Sequence, residues 1–172
     1  MSNLLHDKLA EGDTIEISAP FGDFFLDDTT SPVVLISAGV GVTPLASMLH
    51  TIFEGTSTPR PVSWVQVVRS RKTHMLHDEV ERLLKLRPEL VKRAVFYSAP
   101  GDEILGKEYE LKGRMDLEKL DQKTLRLEDV SANYYVCGPE PFMAEIIQRL
   151  KSKGVDASRI HAEVFGQGAV PL

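Results

Sequence analysis

An apolar, largely β-branched run, Val33-Val34-Leu35-Ile36, leads through Gly39-Val40-Gly41 into Val42-Thr43-Pro44, and nothing else in the chain restricts its fold as much. A run with no polar interruption is typical of a strand buried on both faces. Beyond the glycines, Leu45, Met48, Leu49 and Ile52 recur at i, i+3, i+4 and i+7, which is one face of a helix. Thr43 suits the N-cap of that helix and Pro44 its first position. A buried strand, a glycine turn and an amphipathic helix form the first half of a strand–helix–strand unit.

The same rhythm repeats downstream. Val62–Val68 reads as a second strand. Leu76, Val80, Leu83 and Leu84 give a second helical face, ended near Pro88. Ala94–Tyr97 is a third strand, and residues 99–132 read as charged and irregular, with a short helix capped by Asp116. Tyr134–Val136 is a fourth strand. Phe142, Met143, Ile146, Ile147 and Leu150 line a helix that stops at Gly154, and Arg159–Val164 is a fifth strand. Such alternation predicts an α/β fold, a five-stranded parallel sheet with helices on both faces.

Residues 1–32 do not share this rhythm. Thr14-Ile15-Glu16-Ile17 alternates like a half-buried strand. Pro20, Gly22 and Asp23 mark a turn, and residues 27–32 read as a linker. Phe24-Phe25-Leu26 follows the turn, and two such short apolar stretches cannot bury a core alone, so this segment is expected to lean on something else. The expected division is therefore residues 1–32 and residues 33–172.

Charge and cysteine usage narrow the function. There are 25 acidic against 20 basic residues, a net charge of −5, which disfavours a nucleic-acid partner. The single cysteine, Cys137, excludes an internal disulfide and favours a reducing compartment; a cytoplasmic location is expected. The N-terminus shows no signal-peptide pattern. The most apolar stretch, residues 33–49, is broken by Gly39, Gly41 and Pro44 and makes a poor membrane span.

Four motifs lie where a parallel sheet binds ligands, outside the carboxyl ends of its strands. Gly39, Val40, Gly41, Val42, Thr43 and Pro44 join the first strand to its helix. Glycines there let the backbone approach a pyrophosphate, and the helix N-terminus favours its charge. Pro44 stands where the strict dinucleotide fingerprint has a third glycine. Cys137, Gly138 and Pro139 end the fourth strand; Cys137 reads equally as a residue of the ligand edge or as a small buried hydrophobe, and nothing nearby in sequence lowers its pKa. Glu163 with Val164, Phe165, Gly166 and Gln167 ends the fifth. Arg69 and Arg71 follow the second strand, where an acid selects a ribose 2′-hydroxyl and an arginine accepts a 2′-phosphate. That pair leans towards NADPH, but basic loops are common. His74, His77 and Asp78 lack further ligands for a metal site, so hydrogen bonding at a helix start is the expected role for the histidines.

Five segments together resemble the reductase part of a flavohaemoglobin, within the ferredoxin–NADP reductase superfamily. They are Ser2–Asp7, Ala19–Phe25, Ile36–Pro44, Tyr134–Pro139 and Ile160–Gly166. The resemblance implies a Rossmann-like NAD(P)-binding domain at 33–172, preceded at 1–32 by the remnant of a β-barrel FAD domain. It implies electron flow from NAD(P)H through FAD to a haem in a separate globin domain, where nitric oxide is oxidised to nitrate. Gly39–Pro44 would hold the dinucleotide pyrophosphate. Cys137, Gly138 and Pro139 would lie beside the nicotinamide. Glu163 would tune transfer near the flavin, with Val164–Gln167 packed by the isoalloxazine and Ser2 and Asn3 touching FAD. Flavohaemoglobins mostly use NADH, so the choice between NADH and NADPH stays open. Most of the barrel and the whole globin domain have no counterpart here. FAD is therefore expected to bind weakly or not at all, and the missing domains or an acceptor protein to act as partners. Self-association or docking through residues 12–26 is also expected. A non-catalytic nucleotide-binding module, or a reductase component for another acceptor, are the alternatives.

Overall fold

The computed structural model describes residues 7–19, 22–55 and 59–163. The first strand, β1 (Val33–Ala38), is wholly buried, as its unbroken apolar run requires. The chain then alternates through α1 (Val42–Glu54), β2 (Val62–Val68), α2 (His77–Leu84) and β3 (Val91–Tyr97). A two-residue strand β4 (Leu111–Lys112), a short helix α3 (Gln122–Leu125), β5 (Asn133–Cys137), α4 (Glu140–Ser152) and β6 (Ile160–Glu163) complete it. The six strands form one parallel sheet in the order β4-β3-β2-β1-β5-β6. The expected sheet thus gains one strand, β4, which pairs only with Phe96 and Tyr97.

Each face of the sheet buries its own core. On one, Val34, Ile36, Tyr134 and Val136 pack against Met143, Ile146, Ile147 and Leu150 of α4, with Leu117 and Leu125. On the other, Leu35, Trp64 and Tyr135 pack against Leu45, Leu49 and Ile52 of α1 and Val80, Leu83 and Leu84 of α2. Each fully buried leucine contributes roughly 1.5–3 kcal/mol, so the helical stripes read from sequence are what hold the layers.

The helix starts differ from expectation. α1 begins at Val42 with Gly41 as N-cap, and the Thr43 hydroxyl donates back to the Val40 carbonyl at 3.0 Å. Pro44 still falls in the first turn, where its missing N–H removes no helical bond. Leu76 is outside α2: it is a half-exposed left-handed residue (φ 55°) that caps the helix. Asp116 caps a 3₁₀ turn at Leu117–Lys119, and Asp121 caps α3 by accepting from Thr124 N–H at 2.6 Å.

Thr14–Ile17 is not a strand, and Ile15 and Ile17 are 52% and 83% exposed. Alternation makes a half-buried strand only when a neighbouring strand pairs with it, and none does among the described residues. The following segment does lean on the sheet. Phe24 sets its ring edge on Tyr135, with centroids 5.9 Å apart, and the Asp27 N–H donates to Tyr135 Oη at 3.0 Å. Arg60, only 4% exposed, donates to the carbonyl of Asp27 (2.8 Å), the hydroxyl of Thr29 (3.0 Å) and the carbonyl of Ser31 (3.4 Å). One guanidinium therefore straps the linker to the entry of β2. Arg60→Met keeps the aliphatic stem but strands these acceptors, at roughly 1–3 kcal/mol for a buried unsatisfied group. Urea unfolding is expected to show about 2 kcal/mol lost, with faster proteolytic cleavage between residues 27 and 31. A loss below 0.5 kcal/mol would sink the strap.

The outer edge of β3 is closed by a side chain. Beyond β4, the Val95 N–H donates to Glu110 Oε2 at 2.8 Å, the Glu110 N–H returns to the Val95 carbonyl at 2.9 Å, and Arg93 pairs with the same carboxylate.

Candidate functional site

The strand order places β1 between β2 and β5. Successive connections run one way from β1 through β4 and the other way through β5 and β6, so the reversal lies between β1 and β5. A crevice at the carboxyl end of such a reversal is the ligand position of open α/β sheets.

The first two predicted motifs meet there. Gly39 adopts φ 55°, the left-handed region, and a Cβ at this position would meet only open space. Gly41 has the opposite character. Its φ of −59° suits any residue, but an added Cβ would lie 2.6 Å from Gly138 N and closer still to the Cys137 carbonyl. A Cβ on Gly138 would in turn lie 2.9 Å from the Phe142 ring. Glycine is thus needed at 39 for its backbone angle and at 41 for close approach of two turns. The N-terminus of α1 has no side-chain cap and no acidic residue in its first turn, so its dipole faces the crevice uncompensated. Val40 is half-exposed at its mouth.

Cys137 is fully buried, and its thiol donates weakly to the Glu163 carbonyl at 3.5 Å. Burial, with the nearby Glu163 charge, pushes the thiol up to about 12. It stays protonated at neutral pH and is no nucleophile. Glu163 pairs with Cys137 across β5 and β6. Gly39 to Pro44, Cys137 to Pro139 and Glu163 therefore share one edge. Ser2, Asn3, Val164, Phe165, Gly166 and Gln167 lie outside the described residues.

Arg69 and Arg71 lie on the same edge, after β2. Arg69 is exposed. The Arg71 guanidinium is bound by Asp78 Oδ1 at 2.8 Å, and its backbone N–H donates to Glu103 Oε1 at 2.7 Å. A cavity of about 520 Å³ opens between Ser70, Arg71 and Lys72 on one lip and the stretch Ala99 to Glu108 on the other. Asp102, Glu103 and Glu108 bring three carboxylates to it. The Arg71 amide beside Glu103 holds that carboxyl below the usual range.

Reading the sequence missed Glu103, because 32 residues separate it from the amide it binds. It also missed His74, which is buried rather than at a helix start. His74 Nδ1 lies 2.9 Å from Tyr97 Oη and Nε2 lies 3.0 Å from Gln66 Oε1. His77 does open α2 and bonds Asp78 at 2.9 Å. Among the described residues no cluster of three ligating side chains could hold a metal, and no helix is long and apolar enough to cross a membrane.

Residues 35–148 match the family model described as the oxidoreductase NAD-binding domain. The chain belongs to this family. It is 41% identical, over 99% of its length, to a flavohemoprotein of Bordetella pertussis. The chain spans about two fifths of the length of such curated relatives, 40% and 42% in two of them. Among solved structures it matches the flavohem-like FAD/NAD-binding domain of a nitric oxide dioxygenase from Vibrio cholerae. The TM-score is 0.80 at 36% identity, covering 96% of this chain and 64% of that one. It also matches a flavohemoglobin from Malassezia yamatoensis, solved with bound FAD and heme, with TM-score 0.68 at 30% identity, covering 87% of this chain and 36% of that one.

Proposed function

We propose that this NAD-binding domain holds a reduced nicotinamide dinucleotide across the β1/β5 crevice, as the hydride-donating portion of a flavohaemoglobin-like reductase. The observation that carries this reading is the packing of the Gly39–Pro44 turn against the Cys137–Gly138 turn at the reversal of strand order. Gly39 leaves space for the pyrophosphate, and the uncapped start of α1 faces its charge. Gly138 and Pro139 would line the nicotinamide end, with the buried Cys137 thiol as packing, and Glu163 would sit at the flavin side. When bound there, a reduced nicotinamide would supply a hydride for a flavin on the Glu163 side, the redox chemistry being the cofactors' own. Residues 1–32 are read as the end of a flavin-binding barrel and residues 33–172 as the nucleotide unit. FAD, the barrel and the globin partner belong to this proposal, as does self-association through the exposed Ile15, Ile17 and Phe25.

The lip chemistry favours NADH over NADPH. Asp78 already binds Arg71, and three carboxylates share the cavity with Arg71 and Lys72. A 2′-phosphate would add negative charge to that set, whereas a 2′-hydroxyl can donate to a carboxylate. The bare pair Arg69 and Arg71 leaned the other way because sequence spacing does not show that Asp78 folds back on Arg71.

Titration of the chain with NADH, followed by nicotinamide fluorescence, is expected to saturate. NADPH is expected to bind at least about tenfold more weakly, a difference of roughly 1.4 kcal/mol. No saturation with either nucleotide up to millimolar concentration would remove the reading. Equal affinities would remove only the NADH preference.

A further inference from the structure

The buried group unused by this reading is His74, and its surroundings fix its proton. Trp64 Nε1–H can only donate, and it lies 3.2 Å from Gln66 Oε1. That contact fixes the amide with its oxygen towards Trp64 and leaves Gln66 Nε2 without a partner among the described residues. The same oxygen lies 3.0 Å from His74 Nε2, so Nε2 carries the hydrogen. In a neutral imidazole Nδ1 is then the acceptor, and the Tyr97 hydroxyl donates to it at 2.9 Å. Burial, reinforced by the charges of His77, Arg71 and Arg93, keeps the ring neutral by pushing its pKa down to about 3. A donor left unpaired on Gln66 is the cost of offering one oxygen to two donors.

This chain of bonds joins the two lips of the 520 Å³ cavity. The first lip runs from β2 through the 3₁₀ turn Arg71–Thr73 straight into His74, whose own N–H donates to the Arg71 carbonyl at 3.1 Å. The second lip leaves β3 at Tyr97, whose ring stacks on Tyr109 with centroids 4.6 Å apart and planes 7° apart. Ala99 N–H reaches Arg69 O at 2.8 Å, but farther out, among the described residues, the lips are hydrogen-bonded only through Arg71 N–H and Glu103. Among the described residues, His74 is the side chain that continues the first lip and bonds the side chain at the root of the second.

We propose that His74 is the positioning residue for the adenosine half of the nucleotide, setting the width of this cavity through its bond to Tyr97. The inference rests on the nucleotide reading above. His74 touches no ligand itself; it holds Ser70, Arg71 and Lys72 at a fixed distance from Ala99 to Glu103.

The probe is 5′-AMP, titrated calorimetrically into the wild-type chain and into His74→Phe, His74→Asn and Tyr97→Phe, with melting curves for each. Phenylalanine keeps the ring but removes both bonds. Asparagine loses the bond to Gln66 but keeps an oxygen near Nδ1 that accepts from Tyr97. We expect His74→Phe and Tyr97→Phe to weaken AMP about tenfold. His74→Asn is expected to recover most of that affinity while melting as low as His74→Phe. A purely structural histidine would make affinity follow the melting temperature, with His74→Asn as weak as His74→Phe; that pattern overturns the proposal. So does wild-type affinity in His74→Phe. A wild-type chain that binds neither AMP nor NADH would instead overturn the nucleotide reading itself.

Discussion

Gly41→Ala is expected to cost about 3 kcal/mol of stability and to abolish measurable NADH binding. The added Cβ meets main-chain atoms, Gly138 N at 2.6 Å and the Cys137 carbonyl, and a peptide cannot rotate away like a side chain. Either the start of α1 lifts or the β5–α4 turn moves outward. Overpacked cores generally lose 1–3 kcal/mol, and a main-chain obstacle belongs at the upper end. Both turns line the proposed crevice, so whichever moves, the crevice deforms. Gly39→Ala is the internal control. It meets open space and pays only for φ 55°, about 1–2 kcal/mol. Urea unfolding and NADH titration of the two variants should rank Gly41→Ala well below Gly39→Ala in both. A Gly41→Ala protein within 1 kcal/mol of wild type would mean that the two turns are not locked together.

The second large effect is acid sensitivity with an identifiable source. Burial lowers the His74 pKa from 6.5 to about 3 in the folded chain, so only the unfolded chain takes up this proton between those values. Stability from this group is complete above about pH 7 and falls as pH drops through 6.5 towards 3. Between pH 7 and pH 5 the loss is about 2 kcal/mol, at 1.36 kcal/mol per unit. The charged groups facing the ring, His77, Arg71, Arg93 and Asp78, remain in the His74→Phe variant. Subtracting the variant's pH profile from the wild type's therefore isolates the term. The lowered carboxylates, Asp121, Asp129 and Asp156 among them, act below pH 5 and are outside this window. Parallel profiles for wild type and variant between pH 7 and pH 5 would show that His74 titrates normally.

Much of the fold was legible because hydrophobic runs and stripes are local. The strand at Val62–Val68 keeps the bounds read for it, and every member of the Leu45, Met48, Leu49, Ile52 stripe is buried. Local patterns failed where a partner decides the outcome. Ile15 and Ile17 have strand spacing but no neighbouring strand among the described residues. Leu76 has helical spacing to Val80, yet its left-handed backbone ends the loop before the helix begins. β4 is two residues long and too short to show any period. The glycine turn stood out as a candidate site because its position between strand and helix is local. The lips of the 520 Å³ cavity did not, since Arg71 is bound by Glu103 and His74 by Tyr97, 32 and 23 residues away.

The carboxylate of Glu110 on the Val95 amide also has a meaning for how molecules of this chain meet. An outermost strand with free amides is a template on which another chain can extend the sheet. β4 covers only two residues of β3, so Val95 would otherwise present such an amide. Glu110 fills that position with a charged acceptor and draws Arg93 across it, leaving an incoming strand both a missing donor and a charge to displace. This flank is thereby passivated against cross-β growth, and removing the Glu110 carboxylate would leave the Val95 amide open to an incoming strand.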